Sequence, residues 1–416
     1  MSRNALIALG LLRVAALEQK ERQKQRAIKS KAYLKMTRSL KTDFYRLKNL
    51  RMDEASFFKL LGLVRPILQT HNNNLEEMDV VERLLLTLKY LATGCSLEEL
   101  SYKTDFTHTD ILAIIPATCR AIFKALAPYV KFPAEEKEWL DVADEFERKW
   151  NFSHCAGALS AIHIAIDKPS NDANSYLNHK GFHSVILVAV VNANYEFLYF
   201  DFGFYGGGEK DYIYTDTSFF ENMINETMNL PKESPLPGTE VSAPYIFVSD
   251  TDYIIENFMR PYSKENLTNE EKIFNYRFSR AKRVADNAFG IIYERFGVLH
   301  QNISIQKDEA DLNAVGVACC ALHNYLAKTN KDYLPRESLD IEDEKNLSFQ
   351  TASWRLKRDE GVHWRDTHPL LLLPQGPEKV NDYRGESVRE VFTKYFNNEA
   401  ELPFQEQMVN IVPELM

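Results

Sequence analysis

The sequence predicts an α/β protein in which a helical region precedes a domain of strands and packing helices. In residues 53–147, apolar side chains recur at helical spacing, as at Leu84, Leu88 and Leu91. From Gly157 the pattern changes to continuous apolar runs, which are typical of buried strands. Long segments of helical character follow the strands. A composition of 45% hydrophobic and 26% charged residues is that of an ordinary globular chain.

Four short apolar segments are predicted to be strands. They cover residues 157–166, 183–191, 196–202 and 245–249. The turn residues at 192–195 join the second and third segments, so the first three form an antiparallel meander with a fourth strand in the same domain. Thr268 and Glu271 predict a capping box at the start of a helix that runs to about Phe296. A second, apolar helix is predicted at about 312–326.

Two short helices on either side of residues 103–106 are compatible with a helix-turn-helix. Ser96 and Glu99 predict a capping box for the first helix, and the second covers about 109–126. A DNA-reading helix needs hydrogen-bond donors that face the bases or phosphates, whereas Asp110 would repel phosphate. A structural helical bundle is therefore favoured over a DNA-reading module.

The chain is predicted to divide into four segments. They are a basic helical arm at 1–51, a helical region at 52–150, the α/β domain at 151–330 and a tail at 331–416. The tail is expected to be rich in loops up to about residue 380 and to contain a final helix at 386–398.

The N-terminal arm is strongly basic. Residues 1–51 hold 14 Lys and Arg against Glu18, Glu21 and Asp43, a formal charge of +11, so the whole-chain charge of −9 leaves −20 for the remainder. Such an arm suits nucleic-acid binding or nuclear import, but it also suits a solvated helical face that pairs with the acidic body. Both interpretations stay open. The arm residues expected to contact nucleic acid are Lys24, Arg26 and Lys29.

Several classes of protein are disfavoured. No uninterrupted apolar run reaches the ~18 residues that a membrane span needs, so no membrane association is expected. Arg13 interrupts the short apolar start, which argues against a signal peptide. The five Cys residues include no CxxC pair that would suggest a zinc site, so reduced thiols in the nucleus or cytosol are expected.

Motifs in a fixed order resemble those of the PIF/Harbinger transposases and their domesticated, Harbinger-derived relatives of the DDE superfamily. The blocks that carry this resemblance are Gly157-Ala158, Asn178-His-Lys-Gly-Phe-His-Ser184, Phe247-Val-Ser-Asp250, Met259-Arg-Pro-Tyr262, Asn287-Ala-Phe-Gly290 and Ala318-Cys-Cys-Ala-Leu-His-Asn324. The resemblance implies an RNase H-like domain preceded by a helical, helix-turn-helix-like region. It also implies metal-dependent nuclease chemistry, with Mg²⁺ or Mn²⁺ as the cofactor of active members.

The resemblance assigns four positions to the acids that would hold the two cations. These positions read Ser160, Lys210, Asp250 and Asp286, so two acids remain. A neutral serine hydroxyl cannot bridge two dications, and a lysine at the second position would neutralise the remaining acids and repel a metal. We therefore expect a degenerate site with no intact catalytic residues, no cofactor and no nuclease activity. The alternative is an active, rearranged nuclease in which Asp211 acts with Asp250 and Asp286.

The predicted long helix also carries a basic group made of Arg277, Arg280, Lys282 and Arg283. Two interpretations stay open, namely residual contact with duplex DNA and neutralisation of local acids. The resemblance further implies a separate Myb/SANT-like or MADF-like DNA-binding protein as partner. We accordingly expect a non-catalytic factor that binds a protein and duplex DNA. Its expected location is the nucleus, and the cytoplasm is the second candidate compartment.

If the arm contacts DNA, the full chain will bind duplex DNA with an affinity that falls as salt rises, because phosphate contacts release counterions. Deletion of residues 1–51 should abolish this binding, as measured by fluorescence anisotropy at several salt concentrations. Undiminished, equally salt-dependent binding by the shortened chain would exclude the arm as the DNA-binding element.

Overall fold

The computed structural model describes residues 50–69, 79–104, 106–249, 251, 253–254, 256–304, 308–356, 371–373, 379–380 and 383–412. The chain divides into two units, Met1–Met52 and Asp53–Met416. In the first unit the description covers only residues 50–52. The second unit contains all the helices and strands given below.

The helices and strands are numbered in chain order. The helices are α1 Glu54–Gln69, α2 Val80–Thr93, α3 Leu97–Lys103, α4 His108–Leu126, α5 Glu136–Trp150, α6 Lys210–Thr215, α7 Ser218–Ile224, α8 Asn269–Arg295, α9 Glu309–Thr329, α10 Ser353–Leu356, α11 Tyr383–Asn397 and α12 Gln405–Met408. The strands are β1 Cys155–Ala165, β2 Ser184–Val191, β3 Phe197–Tyr205, β4 Ser234–Pro235, β5 Ser242–Ala243, β6 Ile246–Ser249, β7 Tyr253–Ile254, β8 Phe258–Met259, β9 Ile341–Asp343, β10 Ser348–Gln350, β11 Leu371–Leu372 and β12 Lys379–Val380.

A mixed sheet forms the centre of the second unit, in the order β3-β2-β1-β6-β8. The first three strands are antiparallel, whereas β6 pairs parallel with β1 and β8 pairs parallel with β6. The short strand β11 pairs antiparallel with the end of β1. Every residue of β2 is buried, which explains why its sequence is continuously apolar. The predicted mixed α/β class and the antiparallel meander are confirmed.

Helix α8 packs against β1 and carries the capping box predicted for its start. Thr268 accepts a hydrogen bond from the Glu271 amide, and the Glu271 carboxylate accepts one from the Thr268 amide. At α3 only half of the predicted capping box forms. Ser96 accepts from the Glu99 amide, but the Glu99 carboxylate pairs with Lys103 one turn later. The predicted hydrogen bond from the Ser96 amide to the Glu99 carboxylate was therefore wrong, because Lys103 at i+4 pairs with this carboxylate.

Helix α4 lies inside the helical region. It packs against α1, α2 and α9 and buries an apolar stripe that includes Ile111, Ile115 and Ile122. Asp110 completes the capping box of this helix with Thr107. This packing agrees with the structural-bundle interpretation. The segment His108–Tyr129 is long and apolar enough to cross a membrane by length and composition, contrary to the expectation from the sequence. Half of its most apolar 18-residue stretch is buried inside the fold.

The C-terminal tail belongs to the second unit and packs against its long helix α8. Strands β9 and β10 form a two-stranded hairpin, and helices α11 and α12 both contact α8. The predicted final helix exists and begins slightly earlier than expected, at Tyr383. Side chains from this tail reach the candidate site described below.

His323 on α9 is a buried, neutral histidine that ties the helix to the β2–β3 turn. Its Nε2 donates to the Tyr195 carbonyl over 2.7 Å, so Nδ1 accepts from the Tyr333 hydroxyl over 3.0 Å. Burial lowers the pKa of His323 to about 4, because the charged ring would lose its hydration.

A lowered folded-state pKa makes stability depend on pH. The contribution of His323 is complete above its unfolded pKa of ~6.5 and is lost as pH falls from there towards 4, because the unfolded chain binds a proton that the fold rejects. In urea unfolding, the free energy should fall in this window by up to ~1.4 kcal/mol per pH unit from this residue. His323→Gln should remove that share of the slope. An identical slope in the variant would contradict the assignment.

Candidate functional site

Two of the four positions predicted for the site lie together in the protein interior. Ser160 lies in the middle of β1 with no exposed surface and pairs in register with Ala189 of β2. Asp286 lies near the middle of α8 and is 2% exposed. The packing of α8 across β1 brings the two side chains to a common partner.

That partner is Lys282, which lies one helical turn before Asp286. Its Nζ donates to Ser160 Oγ over 3.0 Å and to Asp286 Oδ1 over 3.2 Å. The side chains of both the lysine and the aspartate are almost fully buried, at 4% and 3% exposure. A buried ammonium group therefore joins the serine of the sheet to the acid of the helix.

The second oxygen of Asp286 is bound by Arg355 of α10. The guanidinium donates from Nη2 to Asp286 Oδ2 over 3.1 Å and from Nε to Asp340 Oδ2 over 2.7 Å. Asp340 is itself buried, so two cationic and two anionic groups face one another in this cluster. We call Ser160, Lys282, Asp286, Asp340 and Arg355 the buried cluster.

The balance of charge keeps Asp286 ionised. Burial alone would raise its pKa, but the charges and hydrogen bonds of Lys282 and Arg355 outweigh burial and hold the pKa of Asp286 below its usual value. Each carboxylate oxygen already accepts a charge-assisted hydrogen bond. The carboxylate is satisfied without any metal ion.

The described part of the donor set does not fit a pair of divalent cations. Mg²⁺ and Mn²⁺ are held by several carboxylate oxygens, whereas the buried cluster offers a serine hydroxyl, an ammonium group and two carboxylates, Asp286 and Asp340, that already accept hydrogen bonds on both oxygens. Within the part of the chain that the structure describes, no group of three or more His, Cys, Asp or Glu side chains could hold a metal.

Comparison with known proteins identifies a domain within the chain. The sequence profile described as DDE superfamily endonuclease matches residues 159–324, the segment that contains Ser160, Lys282 and Asp286. This segment is therefore similar to the DDE superfamily endonucleases. The human and cattle proteins named "Putative nuclease HARBI1" are each 20% identical to it over 284 residues, which cover 68% of this chain and 77% of theirs. These relatives support the predicted Harbinger-type assignment. No solved structure matches the chain significantly.

The other predicted site positions fall outside the described residues. This applies to Asp250, to the side chains of Lys210 and Asp211, and to the arm residues Lys24, Arg26 and Lys29. The backbone of Lys210 begins α6, and Ser249, the residue before Asp250, pairs in register with Leu159 of β1. The predicted roles of these residues stay predictions.

The basic group on α8 is not a solvent-facing surface. Its four side chains are buried, so they form no exposed face for contact with DNA in this structure. The exposures are 1% for Arg277, 3% for Arg280, 4% for Lys282 and 2% for Arg283. Arg280 and Arg283 share the Glu342 carboxylate of β9. The other interpretation, neutralisation of local acids, therefore describes these two arginines.

Arg277 is held differently, by carbonyl oxygens. Its guanidinium donates to the Asn151 carbonyl, to the Ala400 carbonyl and to Gln405 Oε1, and it stacks on Phe396. These acceptors come from the end of α5 and from the tail. The arginine face of α8 thus serves as an internal docking surface for the C-terminal residues.

Sequence reasoning missed three members of the buried cluster. Lys282 was placed on the basic group, and Asp340 and Arg355 were assigned to a loop-rich tail. The spacing of Lys282 and Asp286, four residues apart on a predicted helix, was a usable signal, because such pairs lie on one helix face. For Asp340 and Arg355 the sequence carried no comparable signal, since their proximity arises from tertiary packing.

Lys282→Met keeps an unbranched side chain of similar length and removes its charge. It should lower the free energy of unfolding by about 3 kcal/mol, because it removes the buried ammonium group that donates to both Asp286 and Ser160. Chemical denaturation measures the loss. Lys137→Met, at an 82% exposed lysine, is the matched control and should change little.

Lys210→Met is the informative comparison for Lys282→Met, because the sequence predicts that Lys210 neutralises the remaining acids of the site. A loss confined to Lys282→Met identifies Lys282 as the neutralising cation. Equal stability of Lys282→Met and the native chain would overturn that assignment.

Proposed function

We propose that this chain is a transposase-derived protein that has lost nuclease activity and acts in the nucleus as a protein-binding factor that also contacts duplex DNA. The observation that carries the proposal is the Lys282 ammonium group between Ser160 and Asp286. It supplies fixed positive charge to the position where the DDE family is expected to collect acids around cations.

The loss of activity follows from what an ammonium group can and cannot do. A divalent cation in a two-metal site polarises a phosphoryl oxygen and lowers the pKa of a bound water. The Lys282 ammonium can neutralise Asp286, but it has no coordination position for water or phosphate. Ser160 adds only a neutral hydroxyl. A structural role for the cluster is therefore favoured over chemistry.

The strand arrangement supports an RNase H-like domain as part of the proposal. An antiparallel meander of β3, β2 and β1 is extended by two parallel strands, β6 and β8, on the far side of β1. The helices α8 and α9 pack on this sheet. This is the arrangement that the Harbinger resemblance implies.

Charge distribution supports the binding part of the proposal. The arm of residues 1–51 carries +11 while the rest of the chain carries −20, so the two parts suit partners of opposite sign. Burial of the α8 arginines leaves the arm as the cationic element best suited to DNA. The proposed protein partner is a Myb/SANT-like or MADF-like DNA-binding protein, and the proposed location is the nucleus.

The purified full chain should not cleave or join duplex DNA in the presence of Mg²⁺ or Mn²⁺. A plasmid-nicking assay with a labelled-strand readout measures both reactions. Metal-dependent cleavage that disappears in Asp250→Ala would refute the proposal and favour the alternative, a rearranged nuclease that uses Asp211, Asp250 and Asp286.

A designed variant serves as the positive control for metal binding. Ser160→Asp combined with Lys282→Ala replaces the hydroxyl by a carboxylate and removes the ammonium group. Mn²⁺ should raise the melting temperature of this variant, because a ligand that binds only the folded state stabilises it by about 2.7 kcal/mol at a hundred times its Kd. The native chain should show no such rise.

A further inference from the structure

A segment of the tail lies across one face of α8, beside the buried cluster. Residues 338–356, which we call the strap, contain the β9–β10 hairpin and α10. Ser338 and Ser353, near its two ends, each donate a hydrogen bond to a different oxygen of the Glu294 carboxylate. One side chain on α8 therefore holds both ends of the strap.

Asp340 organises the strap internally. Its Oδ1 accepts from the Ala352 amide over 2.9 Å, its Oδ2 accepts from Arg355 Nε over 2.7 Å, and its own amide donates to Asn287 Oδ1 over 3.1 Å. With a fully buried side chain, Asp340 closes the strap into a loop and orients the arginine. The guanidinium group of Arg355 is therefore held in a fixed orientation towards α8.

Arg355 connects the strap to the buried cluster. Its guanidinium lies 4.0 Å from the Trp354 ring and donates to Asp286 Oδ2 over 3.1 Å. The side chain is 20% exposed, whereas that of Asp286 is 3% exposed, so the arginine lies between the acid and solvent. Trp354 packs against Gly290, where any Cβ would overlap the indole.

The hairpin within the strap depends on side-chain contacts for its position. Strands β9 and β10 pair with each other and with no other strand among the described residues. A two-stranded hairpin is marginally stable alone in water. Charged contacts fix it to α8. Glu342 of the hairpin pairs with Arg280 and Arg283 of α8. Arg355, which follows the hairpin on α10, pairs with Asp286 of α8.

We propose that the strap is a latch that closes over the buried cluster, and that the Asp286 carboxylate holds the latch shut. The carboxylate accepts Lys282 on one oxygen and Arg355 on the other, so it joins the interior to the cover. Opening the strap would expose Asp286 and the lysine to water. The inference rests on the proposed function in one respect, since it requires that no metal ion binds Asp286.

Hydrogen exchange of the full chain, followed by mass spectrometry, tests the latch. Asp286→Asn and Arg355→Gln should each accelerate exchange of peptides from residues 338–356 by about tenfold, the size expected for a coupled ion pair. Peptides from α9 should exchange as in the native chain. The double variant should open the strap little more than either single variant, because both changes break the same contact.

Two control variants separate the latch from general loosening. Ser160→Ala removes a partner of Lys282 without touching the strap and should leave strap exchange unchanged. Glu337→Gln alters an exposed acid just outside the strap and should also have no effect. If Asp286→Asn does not fold, Arg355→Gln carries the test, because this side chain lies at the edge of the cluster.

The latch is wrong if strap exchange in a folded Arg355→Gln variant equals that of the native chain, or if Ser160→Ala opens the strap as much. These outcomes are independent of the nuclease assay. DNA cleavage by a native chain whose strap opens in Arg355→Gln in the absence of divalent metal would reject the proposed loss of activity and keep the latch as a property of the metal-free chain.

Discussion

The buried cluster depends on the hydrogen bonds that the Lys282 ammonium group donates to Asp286 and Ser160. A carboxylate as buried as Asp286 is costly unless its charge is compensated and its oxygens are hydrogen-bonded. Lys282 meets both needs from within the same helix, and Arg355 completes the compensation from the tail. Ser160 fits this environment because a hydroxyl can accept from the ammonium without adding a third negative charge. The serine and the lysine are therefore physically matched.

Helix α8 connects this cluster to the remainder of the fold. Its 27 residues cross the sheet, and the arginines in its middle, Arg277, Arg280 and Arg283, are buried against acceptors from the end of α5, the hairpin and the C-terminal residues. Burial of so many charges is tolerable because each is met by carboxylate, carbonyl or aromatic groups. The tail is consequently part of the folded unit that contains the sheet. A basic sequence stretch on this helix thus has a structural use that its composition alone did not indicate.

Local sequence signals were sufficient for much of the architecture. The four strands, the capped start of α8 and the final helix were predictable because periodicity and capping are properties of neighbouring residues. The proximity of Ser160 and Asp286 could be anticipated from the Harbinger resemblance. Their shared partner was expected to be Lys210, whereas in the structure it is Lys282. The spacing of Lys282 and Asp286 on one helix indicated a possible pair, but only packing brings Lys282 to the serine. Arg355 lies 69 residues from Asp286 in sequence, a separation at which no pattern predicts contact.

The double pairing of Asp286 has a consequence for how the chain can change over evolutionary time. Loss of Lys282 alone would leave the serine without its donor, and gain of an acid at position 160 alone would place a new negative charge beside an ion pair that is already balanced. Either single step should reduce stability before any cation could compensate. The two positions therefore constrain each other, and a change from this ion-paired arrangement to a metal-binding one would require coordinated substitutions. The effect of a substitution at position 160 therefore depends on whether Lys282 is present, and this dependence makes the arrangement hard to reverse.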